Sequence, residues 1–424
     1  MPKIDEKKQI DKLNALEAYL NGKYSFRNNV VLNEIEYSLK GKNDYKEVAD
    51  LDLLKEVRQR GKIYASDKLL SEVVGSSDVS PKHNPVKQWL ESLKPPTSNP
   101  FDQLIQVIDL DDETDKSRLQ TALERWFIAA VKCIYEPLYA PKQMIVFQGE
   151  SGLGKTPFLN SFLPDNMADY RGECNDISPQ NKDSRLLLTK KALLLFDELD
   201  NFFKHQPNRL AFKAFATQAE VNVRAPYAKN PKRKSRISSF LGSCNTSTFI
   251  NDPTGSQRFV VFHVKKIWHS DALEDETPDD NRDIPVEADK FDFEECWAWG
   301  YAQYRAGASP NYSPAELRRN EERNGKYKEH TPEFEAIQEA LDRSSKEQGG
   351  EHMTSTEIMG YLNSVQVDAQ FRNVKEIGKA LIALQFERKN KKTNRVSRWG
   401  YWVKKLQNDT VGKYTEPSNP IGNG

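Results

Sequence analysis

Apolar positions along the chain fall into three regimes, and each predicts a different kind of structure. The first is helical and patchy. Ile10, Leu13, Leu16 and Leu20 recur at three or four residues, the period of an amphipathic helix. Tyr24–Leu39, rich in β-formers and asparagine, reads as a strand pair turning at Asn28-Asn29 or at Asn33. Short helices are expected over Asp52–Arg60, Ala65–Val73 and Val86–Leu93, before KPPTSNP (Lys94–Pro100) breaks the pattern as a linker does. Leu119, Leu123, Trp126, Phe127, Ala130 and Val131 then mark a longer amphipathic helix.

In the second regime, residues 141–264, short and wholly apolar strands alternate with helical stretches, the pattern of an α/β sandwich. Strands are predicted at Met144–Gln148, Ala192–Phe196, Ser238–Ser243 and Arg258–Val264. The third regime follows a helix at Cys296–Tyr304 and a polar stretch to about Thr331. Helical spacing at Phe334–Leu341, Thr356–Leu362 and Val374–Leu384 precedes two β-like segments, Phe386–Asn390 and Trp399–Val403. Three helices and a basic hairpin are the order of a winged helix, with the second helix starting after Met353-Thr354-Ser355 and the recognition helix near Asn373. Trp399, Tyr401 and Trp402 are expected to pack that wing rather than to stack on bases. The expected division is a mixed α/β domain over 1–98, an α/β core with a helical lead-in over 99–305, a linker over 306–331, the winged helix over 332–406 and a loose tail over 407–424.

Composition narrows the class without choosing a function. The 62 Lys+Arg balance 62 Asp+Glu, which excludes a binder coated uniformly in positive charge. Cys133, Cys174, Cys244 and Cys296 lie far apart with no His at ligand spacing, against a disulfide framework or a zinc site. With no signal-like N-terminus and no apolar run of bilayer length, a soluble protein of the cytosol is expected. Charge is nevertheless local. Residues 224–240 hold six basic residues and no acid, 386–405 hold eight against Glu387, and 271–295 hold twelve acids against Arg282 and Lys290. The acidic run contains Pro278 and Pro285 and reads as a solvated loop.

The sharpest chemistry is in MIVFQGESGLGKTPFLNSF. Gly149, Glu150, Ser151, Gly152, Leu153, Gly154, Lys155 and Thr156 fill a G-x-x-x-x-G-K-[ST] pattern between an apolar strand and a helical segment. Glycines allow backbone N–H groups to cradle phosphate oxygens, Lys155 can reach the β- and γ-phosphates of ATP, and the Thr156 hydroxyl can ligate Mg²⁺. Downstream, the run Ala192–Phe196 ends in Asp197-Glu198, at the strand end where α/β sheets bind ligands. Asp197 would hold Mg²⁺ through water, and Glu198 would activate the attacking water. A third strand ends at Ser243-Cys244-Asn245, which would place the Asn245 amide beside the γ-phosphate. Val107–Asp112 (VIDLDD) has the look of a metal motif, but no partner His follows at suitable spacing, and its acids are read as a solvated helix start.

Together GESGLGKT, LLLFDELD, RAPYAKNPKRKSR and SCNTSTFINDPTGSQRF resemble the virulence-associated E family of phage and mobile-element proteins. YSFRNNVVLNEIEY, HNPVKQWLESLK and FEECWAWGYAQYRAG extend the likeness over about residues 20–305. The resemblance implies a P-loop NTPase core, AAA+-like and of the superfamily three helicase type. It also implies ATP and Mg²⁺, assembly into a ring read as a hexamer, DNA as partner, and replication of a mobile element in a host cytosol. In such ATPases an arginine of the neighbouring subunit stabilises the transferring phosphoryl group, and Arg258 and Arg224 are the candidates. Gln257 stands where many relatives carry a second basic residue. The segment between acid pair and sensor forms a hairpin into the central channel of the resembled helicases, so Lys229, Lys232, Arg233, Lys234 and Arg236 are candidates for single-strand phosphates. Lys391, Lys392 and Arg395 are candidates on the wing. The chain has no room for the primase domain that often precedes this core, so a separate primase or replication factor is an expected partner. The leading expectation is an ATP-dependent helicase or translocase; the second is an ATP-regulated loader or recruitment module that does not unwind.

Overall fold

The computed structural model describes residues 6–48, 52–177, 182–204, 206–223, 232–250, 256–271, 286–327, 331–365, 370–393 and 396–406. The chain has a mixed α/β fold in two units, Met1–Tyr327 and Lys328–Gly424. Arg224, Lys229 and Arg395, the segment 272–285 of the acidic run and the tail 407–424 lie outside the described residues.

The first unit opens with the helix Glu6–Lys23, which buries Leu16 and Leu20. Strands β1 (Tyr24–Asn29) and β2 (Glu34–Leu39) pair antiparallel, and the turn between them places Asn33 at φ 64°, a conformation asparagine tolerates better than most residues. With β3 (Lys46–Glu47) and β4 (Lys82–His83) they form a sheet of order β3-β2-β1-β4. The next helix, Pro85–Ser92, is capped by the Asn84 side chain and starts on proline. Its Val86 and Leu90 lie in the same apolar core as Phe127 and Ile145, so residues on both sides of Lys94–Pro100 share one unit.

The larger sheet takes β5 (Ile108–Leu110), β6 (Met144–Gln148), β7 (Arg171–Glu173), β8 (Leu193–Phe196), β11 (Ser239–Cys244) and β12 (Phe259–Ile267), with the hairpin β9 (Glu220–Val223) and β10 (Lys232–Ser235) forming a separate pair. Its order is β5-β12-β6-β11-β8-β7; only the β5–β12 pairing is antiparallel. Alternate residues enter opposite cores. Ile145, Phe147, Leu241, Val260 and Phe262 pack with the helices Lys116–Tyr135 and Phe293–Arg305. Met144, Val146, Leu194, Phe196 and Val261 face Phe202, Phe203, Phe212 and Phe215. Burial on both faces is why these strands read as continuous apolar runs. The buried indoles of Trp126 and Trp297 donate to the Phe240 and Phe162 carbonyls at 2.8 and 2.7 Å, so neither N–H is left unpaired.

Two expectations are overturned. Val107–Asp112 is not a helix start: Ile108–Leu110 is an edge strand, and the Trp268 indole donates to Asp109 at 2.8 Å. Pairing with β12 outweighs the local preference of the acids, and only Asp112 caps a turn, accepting from the Thr114 N–H at 3.0 Å. The stretch 306–331 is not a plain linker. Ser313 and Glu316 form a capping box that starts the helix Pro314–Arg323, and a 3-10 turn, Asn324–Tyr327, continues it. Asn320 and Asn324 are buried, donating to the Phe259 carbonyl at 2.7 and 2.9 Å, and Asn324 also donates to the Ser256 carbonyl at 2.7 Å. This strap belongs to the first unit.

In the second unit the order is helix Pro332–Ala340, β13 (Leu341–Arg343), β14 (Glu351–Met353), helices Ser355–Val365 and Val374–Ala383, then β15 (Arg388–Thr393) and β16 (Val396–Lys405). The long β16 pairs antiparallel with β13, β14 and β15 in turn. Ile337, Ile358, Leu362, Ile377, Leu381, Tyr401 and Val403 make its core.

Candidate functional site

The parallel strands β6, β11 and β8 are neighbours, and their carboxyl ends carry Gly149, Asn245 and Asp197. The loop 149–154 needs glycine at two places for different reasons. A Cβ on Gly149 would stand 2.4 Å from the Val264 carbonyl oxygen, so the loop can pass close to β12 only without a side chain. Gly154 adopts φ 71°, and a Cβ there would meet His269 Nε2 at 2.4 Å. Glu150, Ser151 and Gly152 form the exposed crest, and Leu153 is half-buried.

Lys155 opens the helix Lys155–Asn160 and is buried at 5% exposure. Its ammonium donates to the Gly149 carbonyl at 2.8 Å, to the Glu150 carbonyl, and to Asn245 Oδ1 at 3.1 Å. Burial lowers its pKa, opposed by Cys244, Asp197 and Asp200. Asn245 is thus brought onto the lysine from a strand almost a hundred residues away.

The carboxylate of Asp197 gathers three donors: the Thr156 hydroxyl at 2.8 Å, the Ser243 hydroxyl, and the Glu198 N–H at 3.1 Å. Glu198 itself sits at φ 49°. A branched-chain-free but ordinary L-residue in the left-handed region costs roughly 1–2 kcal/mol, and such outliers concentrate at functional sites. Its side chain is exposed and accepts from Asn201 Nδ2 at 2.7 Å, while Lys204 donates to Asn201 at 2.8 Å. Asp200 is buried with Oδ1 unbonded among the described residues. A hydroxyl and a carboxylate 2.8 Å apart offer the hard oxygen ligands Mg²⁺ prefers, and Mg²⁺ is ordinarily held by one or two protein groups plus phosphates and water. Among the described residues no cluster of three or more His, Cys, Asp or Glu could form an all-protein cage.

Arg258 is elsewhere. It ends the turn Ser256–Arg258 just before β12, and Phe259 is level with Met144 at the start of β6. One strand length, roughly 20 Å at about 3.3 Å per residue, separates it from Gly149. Its guanidinium has no hydrogen bond or ion pair among the described residues, yet its backbone is fixed on both sides by Asn324 and by the Gln257–Glu321 contact at 2.9 Å.

The profile of the virulence-associated protein E-like domain matches residues 90–329, more than half of the chain. The chain belongs to the virulence-associated protein E-like family. No curated protein sequence matches it. Among solved structures, an apo structure of the NrS-1 C-terminal region is similar at 14% identity with a TM-score of 0.48, covering 93% of this chain and 99% of that one. Two A-form apo structures of the same region give TM-scores of 0.45 and 0.43 at 15% and 14% identity, each covering 93% of this chain and 100% and 99% of theirs.

The matched virulence-associated protein E-like segment spans the glycine loop, the acid pair, Asn245, Arg258 and the strap. Two of its basic candidates are corrected by their surroundings. Arg236 is fully buried, donating to the Ser238 and Ala216 carbonyls at 2.7 Å each and lying 4.1 Å from the Phe240 ring centre. Burial pushes its pKa down to about 10, which still leaves it charged at neutral pH. It braces the sheet and cannot meet a phosphate. Lys234 donates to the Val31 carbonyl, and burial pushes its pKa down to about 8. Arg233 remains exposed, 3.8 Å from Glu220, and Lys232 lies beside it on β10, opposite Val223. In the second unit Lys391 and Lys392 are exposed on β15.

Sequence reasoning missed Ser243, Asn201, His269, Asn320 and Asn324. Ser243 had a signal, since it directly precedes Cys244-Asn245 at the end of an apolar strand. His269 had none. Only the pairing of β12 beside β6 brings it to the glycine loop.

Proposed function

We propose that this protein is an ATP-hydrolysing helicase or translocase that acts on DNA in the replication of a phage or mobile element. The convergence of Lys155, Thr156, Asp197, Glu198 and Asn245 at the ends of adjacent parallel strands carries this reading. The loop amides and Lys155 bind the β- and γ-phosphates. Thr156 and Asp197 would hold Mg²⁺, which supplies charge neutralisation between those phosphates when bound. Glu198, oriented by Asn201, accepts the proton of the attacking water, and Asn245 positions that water or the γ-phosphate. Arg258 is too far from its own loop to serve it, so it completes the site of a neighbouring subunit in a ring, read as a hexamer. Arg224 remains the alternative finger.

Arg233 and Lys232 on the β9–β10 hairpin track the single-strand backbone in the channel. We read the second unit as a winged helix, with Val374–Ala383 as recognition helix and Lys391 and Lys392 on the wing; its order of helices and strands supports that reading. Strand displacement on forked DNA, wild type against Lys155→Ala, tests the proposal. ATP-dependent unwinding that the variant loses is expected. DNA-stimulated hydrolysis without displacement would favour a loader instead.

A further inference from the structure

The wing holds an aromatic residue that the core does not use. Trp399 is 56% exposed and absent from the apolar core of its unit, although Tyr401 and Val403 on the same strand are buried in it. The sequence-based expectation that Trp399 packs the wing is therefore overturned. It projects where β15 and β16 run past the core as a two-stranded ribbon, directly opposite Asn390. The Arg388 guanidinium stands over its ring at 5.5 Å. On its own face of the ribbon the strands expose Arg388 and Lys392; Lys389, Lys391 and Arg398 alternate to the other face, with Lys389 paired to Glu387 at 2.9 Å and Arg398 to Glu357 at 3.9 Å. Trp402 shows the contrast. It is half-buried, stacks edge-on to His352 at 5.3 Å, and carries Lys391 over its ring at 5.1 Å.

An exposed indole on a cationic ribbon is costly to leave in water and has one economical partner, an anionic polymer with flat faces. Duplex DNA meets the charge requirement but keeps its faces stacked inside. Single-stranded DNA presents both phosphates and free bases. We propose that Trp399 is a stacking platform for an unpaired nucleobase, with Arg388 backing the ring and Lys392, on the same face of the ribbon, holding a flanking phosphate. The wing is thereby a single-strand or fork-end reader rather than a duplex-groove element. This rests on the reading of the protein as a DNA-acting one, and the test separates the two.

The full-length protein would be titrated with a labelled oligothymidylate, the same backbone with abasic sites, and a duplex. Trp399→Ala, Trp399→Phe and the double variant Lys391→Ala/Lys392→Ala would be compared with wild type. Trp399→Ala is expected to weaken oligothymidylate binding about tenfold, leave duplex binding and the salt slope unchanged, and bind normal and abasic strands alike. Trp399→Phe should recover most of the loss. Because Trp399 lies outside the core, its variants should unfold at the wild-type temperature, and ultraviolet crosslinking of a bromouracil strand to wild type should fall on Trp399. Unchanged oligothymidylate affinity in Trp399→Ala, or equal losses on abasic and normal strands, would overturn the proposal and point to a protein ligand or a backbone contact. If the lysine variant keeps the wild-type salt slope as well, the DNA reading of the wing fails with it.

Discussion

The two ends of the six-stranded sheet are made by the same strands and are prepared for different work. At the carboxyl ends the side chains hold one another in two sets: Lys155 donates to Asn245, and Thr156 and Ser243 both donate to Asp197. At the opposite end Arg258 is held only by its backbone, between carbonyls clamped by Asn324, and its side chain has no partner among the described residues. Arg258, a charged side chain on a fixed backbone with no partner among the described residues, is what the proposed finger of a neighbouring site would look like. If the proposed function holds, this difference is what a catalytic site shared between two copies of the chain would require.

That contrast can be broken or sharpened experimentally. Lys155→Ala should have the largest effect, reducing ATP turnover to background and removing nucleotide binding, measurable by phosphate release and by nucleotide fluorescence. Arg258→Ala should lower turnover by about a thousandfold while nucleotide binding stays near wild type, because a finger acts on the transition state. Binding lost together with turnover would place Arg258 in its own site instead. Asn324→Ala, at the clamp, should cost about tenfold in turnover with nucleotide affinity unchanged, and about 1–2 kcal/mol of stability from the two hydrogen bonds lost, although Asn320 still donates to the Phe259 carbonyl. Arg236→Met should show the smallest functional effect. Denaturant unfolding should reveal a loss of about 1–3 kcal/mol, while the salt dependence of DNA binding stays that of wild type. A flatter salt slope would return Arg236 to the DNA surface.

The sequence carried the glycine loop, the acid pair and Asn245 because each ends an apolar strand, and a buried parallel strand leaves a continuous signature. It also carried the helix order of the second unit, where Asn373 caps the last helix by accepting from the Lys375 N–H at 3.1 Å. What it hid was burial of charge. Arg233, Lys234 and Arg236 are equivalent in a charge count, yet alternation along β10 and its continuation leaves one in solvent and takes another wholly into the core. Trp399 and Tyr401, two residues apart, diverge for a related reason: the strand outruns the core beneath it. The strap was overlooked although S-x-x-E at Ser313–Glu316 announces a helix start, because its few apolar positions gave no periodic stripe. Its anchors are asparagines, which bond to carbonyls rather than bury apolar area.

The most direct test of a site shared between two copies is to mix Lys155→Ala with Arg258→Ala and measure ATP turnover. Each variant alone should be inactive. The mixture should regain activity, because an intact Lys155 in one subunit then meets an intact Arg258 in the next. A mixture as inactive as its components, under conditions where the wild type assembles, would contradict the shared site, as would wild-type turnover by Arg258→Ala alone.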